Sequence, residues 1–441
     1  MDIVALLRGI LGLVVILGLA FLLSNNRRRV NWRTVGAGLG LQLVLAVFIL
    51  KGNEMGATFS PLGWPKAFFA WVSSFFVLVL NFTTAGAEFV FGALAISPGM
   101  DGSMGNFFAF QVLPTIVFFG ALMAVFYHLG IMQRVVQGMA WLVTRLLGTS
   151  GAESLSVTAN IFVGQTEAPL VIKPYLEKMT YSELMAVMTG GMATIAGGVM
   201  VAYISILGNA FAQAQGLDLE TAQLLFAEQL LGASLMAAPA ALLLSKILVP
   251  EVGEPVTQGE VKIAVEQSTK NVIDAAAAGA GDGLKLALNV GAMLIAFLAL
   301  IAMANWLLGW GGDLFGVSLS LEGLFGWILS PLAWLIGVPW ADAADLGSLI
   351  GTKIVANEFV AYTILADLIQ QGALSPKSIT MATFALCGFA NFSSIAIQLG
   401  GIGPLAPSRK SELAQLGLRA VLAGTLANMM TATIAGVLMS G

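Results

Sequence analysis

The chain has very few of the side chains that build disulfides, metal centres and charged surfaces. Its single cysteine, Cys387, excludes an intramolecular disulfide and any cluster of cysteine ligands. Its single histidine, His128, leaves no zinc site made from histidines. Charged residues make up only 10% of the chain, so the net charge of −4 says less than the places where charges fall.

Apolar residues are what the chain has in abundance. They form 58% of its 441 residues and lie in long runs, which is typical of a polytopic membrane protein. The first run precedes the basic cluster Arg27–Arg29 and predicts a transmembrane helix rather than a cleavable signal peptide. About eight runs can cross a core of roughly 30 Å at about 1.5 Å per residue. These runs are Ile3–Leu23, Val35–Leu50, Phe107–Leu129, Ser182–Leu207, Leu224–Val249, Leu284–Leu308, Ile379–Leu399 and Leu413–Met439.

Three other apolar segments contain too many polar residues to read as simple spans. Pro65–Ala95 is rich in aromatic residues and contains Asn81 and Glu88, so we expect one or two interfacial helices. Val135–Tyr175 and Leu321–Ile369 predict two re-entrant hairpins, whose open backbone is tolerated only inside protein or along a cavity. The predicted fold is an all-α, multi-pass protein of the inner (plasma) membrane.

The two hairpins predict an internal repeat. Each carries an acid, Glu167 or Glu358, and each is followed by a segment that begins with serine, at Ser182 or Ser375. With the N-terminus outside, most of the 20 Lys and Arg fall on the cytoplasmic side, and the hairpins enter from opposite sides. Inverted repeats with interrupted helices are typical of secondary transporters.

This repeat divides the chain into four expected parts. They are N-terminal scaffold helices with an interfacial helix at 1–130, a first hairpin repeat at 131–250, a cytoplasmic linker with a central scaffold span at 251–320, and a second hairpin repeat at 321–441. A carboxylate deep in an apolar segment is costly and usually faces a cavity or pathway. Glu167 and Glu358 are therefore the first candidates for function, as two halves of one site.

Four ordered motifs connect the chain to a known family. They are ANIFVGQTEAPL at Ala159–Leu170, MATIAGGV at Met192–Val199, ANEFVAY at Ala356–Tyr362 and GFANFSS at Gly388–Ser394. In these motifs the chain resembles the concentrative nucleoside transporters, and the resemblance extends over nearly the whole length. It implies a sodium- or proton-coupled importer of nucleosides, built as a homotrimer in membrane lipid, whose hairpins move in a transport domain against a scaffold. It implies neither an organic cofactor nor a nucleic-acid partner.

The resemblance also implies which residues meet the nucleoside. The base would face Gly164, Gln165, Thr166, Glu167 and Val199, and the ribose would meet Glu358, Asn391 and Ser394, with Phe389 against the base. The chemistry agrees, because amides and hydroxyls suit a base edge and a carboxylate can accept from two ribose hydroxyls. Gln165 and Thr166 could instead satisfy the backbone of the hairpin tip, and Val199 and Phe389 could be packing residues. Lys353 is a poor helical partner for Glu358 at five residues' separation.

The expected sodium ligands are oxygen atoms near the first hairpin. Asn160 and Thr194 offer side-chain oxygens, while Val163 and Ile195 offer carbonyls where the backbone unwinds. The alternative for Thr194 is a bond back to its own helix. Proton coupling is the alternative to sodium coupling.

Two other classes of protein compete with a transporter. An intramembrane enzyme would need a nucleophile with its base or a cluster of acids with a metal, and neither pattern is present in the sequence. A passive channel would conduct without coupling. Glycine-rich stretches such as Thr189–Gly191 lack the lysine of a phosphate loop, which disfavours ATP as the driving force.

Overall fold

The computed structural model describes residues 3–96, 101–105, 107–259, 269–314, 316–317 and 319–439, and their regular elements are helices. Residues 260–268, 315 and 318 of the expected 251–320 segment lie outside the described residues, as do both chain ends. The N-terminal helices are α1 (Ile3–Leu22), α2 (Trp32–Thr58), α3 (Trp64–Phe91), the short α4 (Phe108–Gln111) and α5 (Leu113–His128).

The first hairpin repeat follows in the order of one amphipathic helix, a hairpin, a broken helix and a long unbroken helix. Its elements are α6 (Ile131–Leu147), the hairpin arms α7 (Gly151–Ala159) and α8 (Lys173–Leu176), the broken pair α9 (Tyr181–Ala193) and α10 (Gly197–Gln215), and α11 (Leu219–Leu248).

A 42-residue helix, α12 (Val272–Asp313), leads to the second repeat, which has the same order of elements. These elements are α13 (Leu321–Leu335), the hairpin arms α14 (Ala343–Val355) and α15 (Glu358–Gln370), the broken pair α16 (Pro376–Leu386) and α17 (Phe392–Ile402), and α18 (Lys410–Leu438).

Both hairpins are shorter than predicted, because a separate helix precedes each of them. Gly148 ends α6 at φ 69° and Gly337 follows α13 at φ 119°, a region of backbone space that favours glycine. These two glycines turn the chain into the hairpins. The predicted hairpins Val135–Tyr175 and Leu321–Ile369 therefore each included one helix too many.

Capping side chains decide where several helices of the repeats begin. Ser150 and Thr180 form capping boxes with Glu153 and Glu183 at the start of α7 and α9. Ser375 caps α16 by accepting from Ser378 N. The serines and threonines that open these segments are thus structural, since they satisfy amides that a helix N-terminus leaves unpaired.

The segment Pro65–Ala95 is one long helix as far as Phe91, followed by a short 3-10 helix, rather than interfacial pieces. Its core is the 28-residue helix α3, which is long and apolar enough to cross a membrane. The polar residues do not break it, because Thr83 and Thr84 return their hydroxyls to the carbonyls of Val79 and Leu80, at 2.8 and 3.1 Å. The interfacial prediction was wrong for this reason.

The predicted span Ser182–Leu207 is broken between α9 and α10, and the predicted span Ile379–Leu399 was likewise wrong as a continuous helix. It is interrupted between α16 and α17, where Asn391 caps α17 by accepting from Ser394 N at 2.9 Å. Among the described residues eight helical segments remain long and apolar enough to span, which confirms the predicted number with one exchange of members. These segments are 3–22, 32–58, 60–95, 108–128, 181–215, 219–248, 272–313 and 407–438.

The repeats form the buried centre of the molecule, and α5 and α12 lie outside it. α9, α10, α11 and α18 are almost entirely covered, whereas α12 is mostly exposed. α12 packs along α5, where a Cβ on Gly283 would approach the Ile116 carbonyl oxygen to 2.8 Å. The all-α membrane fold is confirmed, and it places both hairpin tips in the covered region.

Candidate functional site

The tip of the first hairpin is a tight turn between α7 and α8. The Gly164 carbonyl accepts from the backbone amides of Glu167 and Ala168, both at 3.1 Å. This turn directs Gln165 inward, where its side chain is buried. The tip also bonds to the break between α9 and α10, since Gly197 N donates to Phe162 O at 3.0 Å.

The tip of the second hairpin presents a buried carboxylate at the start of a helix. Asn357 caps α15 by accepting from Val360 N at 2.9 Å, which places Glu358 at the first helical position with only 5% exposure. Tyr203 donates to Glu358 Oε1 at 2.8 Å, and Asn391 donates to Oε2 at 3.1 Å. Each carboxylate oxygen thus accepts a hydrogen bond from one other side chain and can accept further hydrogen bonds.

Gln165 joins the two repeats through neutral groups. Its Nε2 donates to Ser394 Oγ at 3.0 Å, and its Oε1 accepts from Gln398 Nε2 at 3.0 Å. Gln398 Nε2 also lies 3.0 Å from the carbonyl oxygen of Met188 in α9. Ser394 and Gln398 belong to α17, so the first hairpin tip is bound to the second repeat.

The other residues expected near the base range from buried to exposed. Val199 is buried in α10, and Thr166 packs against Gly401 of α17, where an added Cβ would lie 2.5 Å from Thr166 Cγ2. Phe389 is half-buried, and its backbone amide donates to Thr194 O at 3.3 Å. Glu167 is exposed, with its carboxylate over Gly164.

The expected sodium ligands lie on the first hairpin tip and the adjoining helix break. Asn160 ends α7 and donates Nδ2 to Ser156 O at 3.0 Å, while its buried Oδ1 has no hydrogen-bond partner within the described parts of the chain. The Thr194 hydroxyl donates to Gly190 O of its own helix at 2.9 Å, which was the alternative expectation for this residue. Its oxygen still has lone pairs to offer a cation. Ile195 is fully buried in the break and Val163 is half-buried.

A buried lysine meets the corresponding break of the second repeat. Lys353 donates to Ala385 O at 3.0 Å and to Asn428 Oδ1 at 2.6 Å. Asn428 in turn donates Nδ2 to the carbonyls of Ala193 and Cys387, both at 2.7 Å. One side chain of α18 therefore bonds to the ends of both broken helices.

Sequence reasoning missed Tyr203, Gln398 and Asn428 as parts of this region, and it considered Lys353 only as a helical partner of Glu358. Tyr203 and Gln398 read as ordinary helix residues because their partners lie 155 and 233 positions away. A signal was available for these two, since each stands six residues after the first residue of the helix that follows a break, Gly197 or Phe392.

Models of protein families match three consecutive parts of the chain. Residues 11–94 match the Na+ dependent nucleoside transporter N-terminus, and residues 229–436 match the C-terminus of the same family. Residues 109–210, which include the first hairpin, match a model named Gate and described as nucleoside recognition. The family description names Na+, which favours sodium over a proton.

Curated relatives match nearly the whole length of the chain. The transporter YutK of Bacillus subtilis, described as uncharacterized, is 47% identical over 430 residues, which is 97% of this chain and 98% of YutK. Sodium/nucleoside cotransporter 1 of Mus musculus is 42% identical over 442 residues. That match includes 97% of this chain and 63% of the mouse protein, so the chain spans less than two thirds of the longer relative.

Solved structures give the same result. CNTnw in an inward-facing substrate-bound state aligns with a TM-score of 0.85 and 42% identity, covering 98% of both chains. A doubly substituted CNTnw in an outward-facing state aligns with a TM-score of 0.86 and 41% identity, covering 100% of this chain and 99% of that one. Together with the matches to YutK and the family models, these similarities show that the chain is a multi-pass membrane protein that belongs to the family of Na+-dependent nucleoside transporters.

Proposed function

We propose that this sodium-dependent transporter binds its nucleoside between the two hairpin tips and divides recognition between them. Glu358, Asn391 and Ser394 hold the ribose. The base lies against Phe389 and meets residues of the first repeat, which are Gly164, Gln165, Thr166, Glu167 and Val199. The observation that carries the proposal is the buried Glu358 carboxylate, held by Tyr203 and Asn391 with acceptor capacity to spare.

The sugar half rests on the chemistry of a carboxylate in a covered site. A buried charge is costly unless it is hydrogen-bonded, and Glu358 receives one bond on each oxygen. Vicinal hydroxyls can donate to its remaining lone pairs with charge-assisted bonds, which are roughly twice as strong as neutral ones. Asn391 and Ser394 lie in the same break and helix start, where they add amide and hydroxyl groups.

The coupling ion is proposed to bind at Asn160, Val163, Thr194 and Ile195. The unpartnered Asn160 Oδ1 supports this assignment, because a buried oxygen without a hydrogen bond is otherwise costly. The donor set consists of an amide oxygen, a hydroxyl and two carbonyls, and hard cations prefer oxygen ligands. These neutral oxygens could coordinate a sodium ion with their lone pairs. A coupling proton would instead need a titratable group, and this set of residues has none.

Transport is proposed to proceed by alternating access, with the repeats 131–250 and 321–441 moving against a scaffold of 1–130 and 251–320. The bonds between the hairpin tips and both broken helices support movement of the repeats as one unit. The exposed α12 supports a scaffold role for the segment that carries it. Inward-facing and outward-facing states are both known for the related CNTnw.

We also propose a homotrimer embedded in lipid, with a complete site in every protomer. Large apolar side chains on α12, such as Ile273, Ile295, Trp306 and Trp310, are exposed on the single chain. Lipid tails or further copies must cover such a surface in a membrane. The mass of the protein in detergent, with chemical cross-linking in native membranes, measures this; a monomer in both contradicts the trimer.

Uptake into vesicles tests the function. Purified protein in liposomes should accumulate labelled uridine or adenosine under an inward sodium gradient, and dissipating the proton gradient should change nothing. Equilibration without accumulation would indicate a channel. Recovery of a chemically altered nucleoside would indicate an enzyme, and accumulation driven by protons alone would overturn the cation assignment.

A further inference from the structure

Two buried side chains occupy equivalent places in the two repeats. Tyr203 stands six residues into α10 and Gln398 six residues into α17, counted from Gly197 and Phe392. Both side chains are almost fully buried. Each reaches across to the hairpin tip of the other repeat, where Tyr203 bonds to Glu358 and Gln398 bonds to Gln165.

We propose that Tyr203 and Gln398 are a matched pair of positioning residues, each of which fixes the recognition side chain on the hairpin tip of the opposite repeat. Tyr203 thereby serves recognition of the sugar, and Gln398 serves recognition of the base. This inference rests on the proposed function, because it assigns to each residue an effect on Glu358 or Gln165 rather than a contact with the nucleoside.

On the amide side, one backbone carbonyl sets the direction of every hydrogen bond. The Met188 carbonyl can only accept, so the atom of Gln398 that lies 3.0 Å from it must be the nitrogen. The same nitrogen lies 3.0 Å from one terminal atom of Gln165, which must then be the oxygen. Gln165 therefore turns its own nitrogen toward Ser394. Gln398 thus removes the freedom of Gln165 to present its amide in either of two orientations.

This sequence of bonds also determines what Ser394 can do. Ser394 Oγ accepts from Gln165, so its own proton remains available to a ligand acceptor. With the amide of Gln165 reversed, Ser394 would have to donate to Gln165 and could no longer donate to the ligand. Through two successive hydrogen bonds, Gln398 therefore also sets the polarity of Ser394, which the proposed function places at the ribose, so a loss of affinity shared by both bases is expected beside the change in the base ratio.

Gly191 provides the space for the two amides. A Cβ at this position of α9 would lie 2.7 Å from Gln398 Nε2 and 2.8 Å from Gln165 Cβ. Both glutamine side chains thus pack closely against the backbone of α9 at Gly191. This packing supports a fixed orientation of Gln165.

On the carboxylate side, aromatic packing holds Tyr203. Its ring lies 5.0 Å from the ring of Phe359 and 4.4 Å from that of Tyr362, measured between centroids. The hydroxyl is directed at Glu358 Oε1, and Asn391 holds the other oxygen. Replacing the hydroxyl by hydrogen would release one carboxylate oxygen while leaving the ring packing in place, so Tyr203→Phe isolates the positioning role.

The test uses the full-length protein and measures binding of uridine, adenosine and their 2′- and 3′-deoxy analogues by calorimetry with sodium present. Gln398→Met, which keeps the length and removes the hydrogen bonds, should change the uridine-to-adenosine affinity ratio about three- to fivefold. Tyr203→Phe should leave that ratio within about twofold and reduce the preference for ribose over deoxyribose by about five- to tenfold. The reverse pattern, or equal losses for every ligand in both variants, would overturn the inference.

A double-mutant cycle shows whether Gln398 acts through Gln165. In a Gln165→Ala background, Gln398→Met should no longer change the base ratio, because the side chain it orients is absent. An equal change in both backgrounds would overturn the inference. If Gln398→Met does not fold, as judged by its thermal transition, Gln398→Glu replaces it, since a carboxylate cannot donate to Met188 O, and the same change of the base ratio is expected.

The outcome for Gln165→Ala alone separates this inference from the proposed function. If that substitution leaves the binding of every nucleoside unchanged, the proposed role of Gln165 in base recognition is wrong. If Gln165→Ala changes the base ratio and neither Gln398 variant does, the proposed function stands and the positioning role of Gln398 is wrong.

Discussion

The two hairpin tips belong to elements in the same order, yet they present opposite kinds of chemistry. The first tip offers the neutral amide of Gln165, bound to other neutral groups on α17. The second offers the Glu358 carboxylate, bound by one phenol and one amide. Charge-assisted hydrogen bonds are shorter and roughly twice as strong as neutral ones. A repeated backbone can therefore carry one demanding half, suited to the shared sugar, and one adaptable half, suited to bases that differ.

The helix breaks differ in the same way. In the second repeat the ammonium of Lys353 lies at the end of α16, where it bonds to Ala385 O. In the first repeat the hairpin arm ends at Asn160, whose oxygen has no partner among the described residues. Helix C-termini carry partial negative charge and favour cations. The second break has a cation of its own, and this difference supports the proposal that the first repeat takes its cation from solution.

The largest expected effect is the loss of the charge on the second tip. Glu358→Gln should lower the affinity for all ribonucleosides together by about ten- to a hundredfold, because hydrogen bonds to charged groups contribute roughly 1.5–3 kcal/mol. It should also blunt discrimination against deoxy sugars. Calorimetry measures both, with the exposed Glu220→Gln as control. A changed base ranking with intact sugar discrimination would show that the halves are assigned the wrong way round.

The next effect concerns the cation at the first break. Asn160→Ala removes the unpartnered oxygen and should raise the sodium concentration for half-maximal uptake about tenfold, which corresponds to about 1.4 kcal/mol. Uptake at saturating sodium should recover in large part. Vesicle uptake over a sodium series provides the measurement, and sodium dependence identical to that of the unsubstituted protein would exclude Asn160 as a ligand.

A smaller effect is expected from the neutral tip. Gln165→Ala should change the ranking among bases by about fivefold, since a neutral hydrogen bond contributes roughly 1 kcal/mol. The demand for ribose should stay. Competition of uridine uptake by adenosine measures the base ranking, and competition by deoxyuridine measures the demand for ribose. The exposed Gln215→Ala is the control. Loss of sugar discrimination without a change in base ranking would contradict the comparison of the tips.

The smallest effect comes from crowding the amide pair. Gly191→Ala places a methyl group against Gln398 Nε2 and Gln165 Cβ. Such overpacking typically costs about 1–3 kcal/mol of stability, and we expect the accompanying change in the base ratio to be roughly threefold. Gly138→Ala on α6 is the matched control, because a Cβ there meets open space. Equal behaviour of the two variants in base competition would show that the pair tolerates rearrangement.

The sequence was sufficient for the helical class, for the existence of two hairpins, and for grouping Glu358 with Asn391 as candidates for one site, although the hydrogen bond between them was not foreseen. Polar residues inside apolar segments indicated the hairpins and the candidate site, because such residues are costly in a membrane unless they have a role. The same rule failed for α3, whose threonines bond within their own helix. It also failed for Tyr203 and Gln398, since hydrophobic periodicity carries no information about which distant tip a buried side chain meets. Those contacts exist only after the repeats pack together.

Asn428 has a consequence for how the two ligands influence each other. Its single amide bonds to the ends of both broken helices, at Ala193 and Cys387, and the two breaks also meet through Phe389 N and Thr194 O. An ion that orders the Thr194 segment must then order the segment that carries Asn391. By thermodynamic linkage, sodium and nucleoside should raise each other's affinity by the same factor. Substituting Asn428 should reduce that shared factor while leaving the direct ligands of both in place.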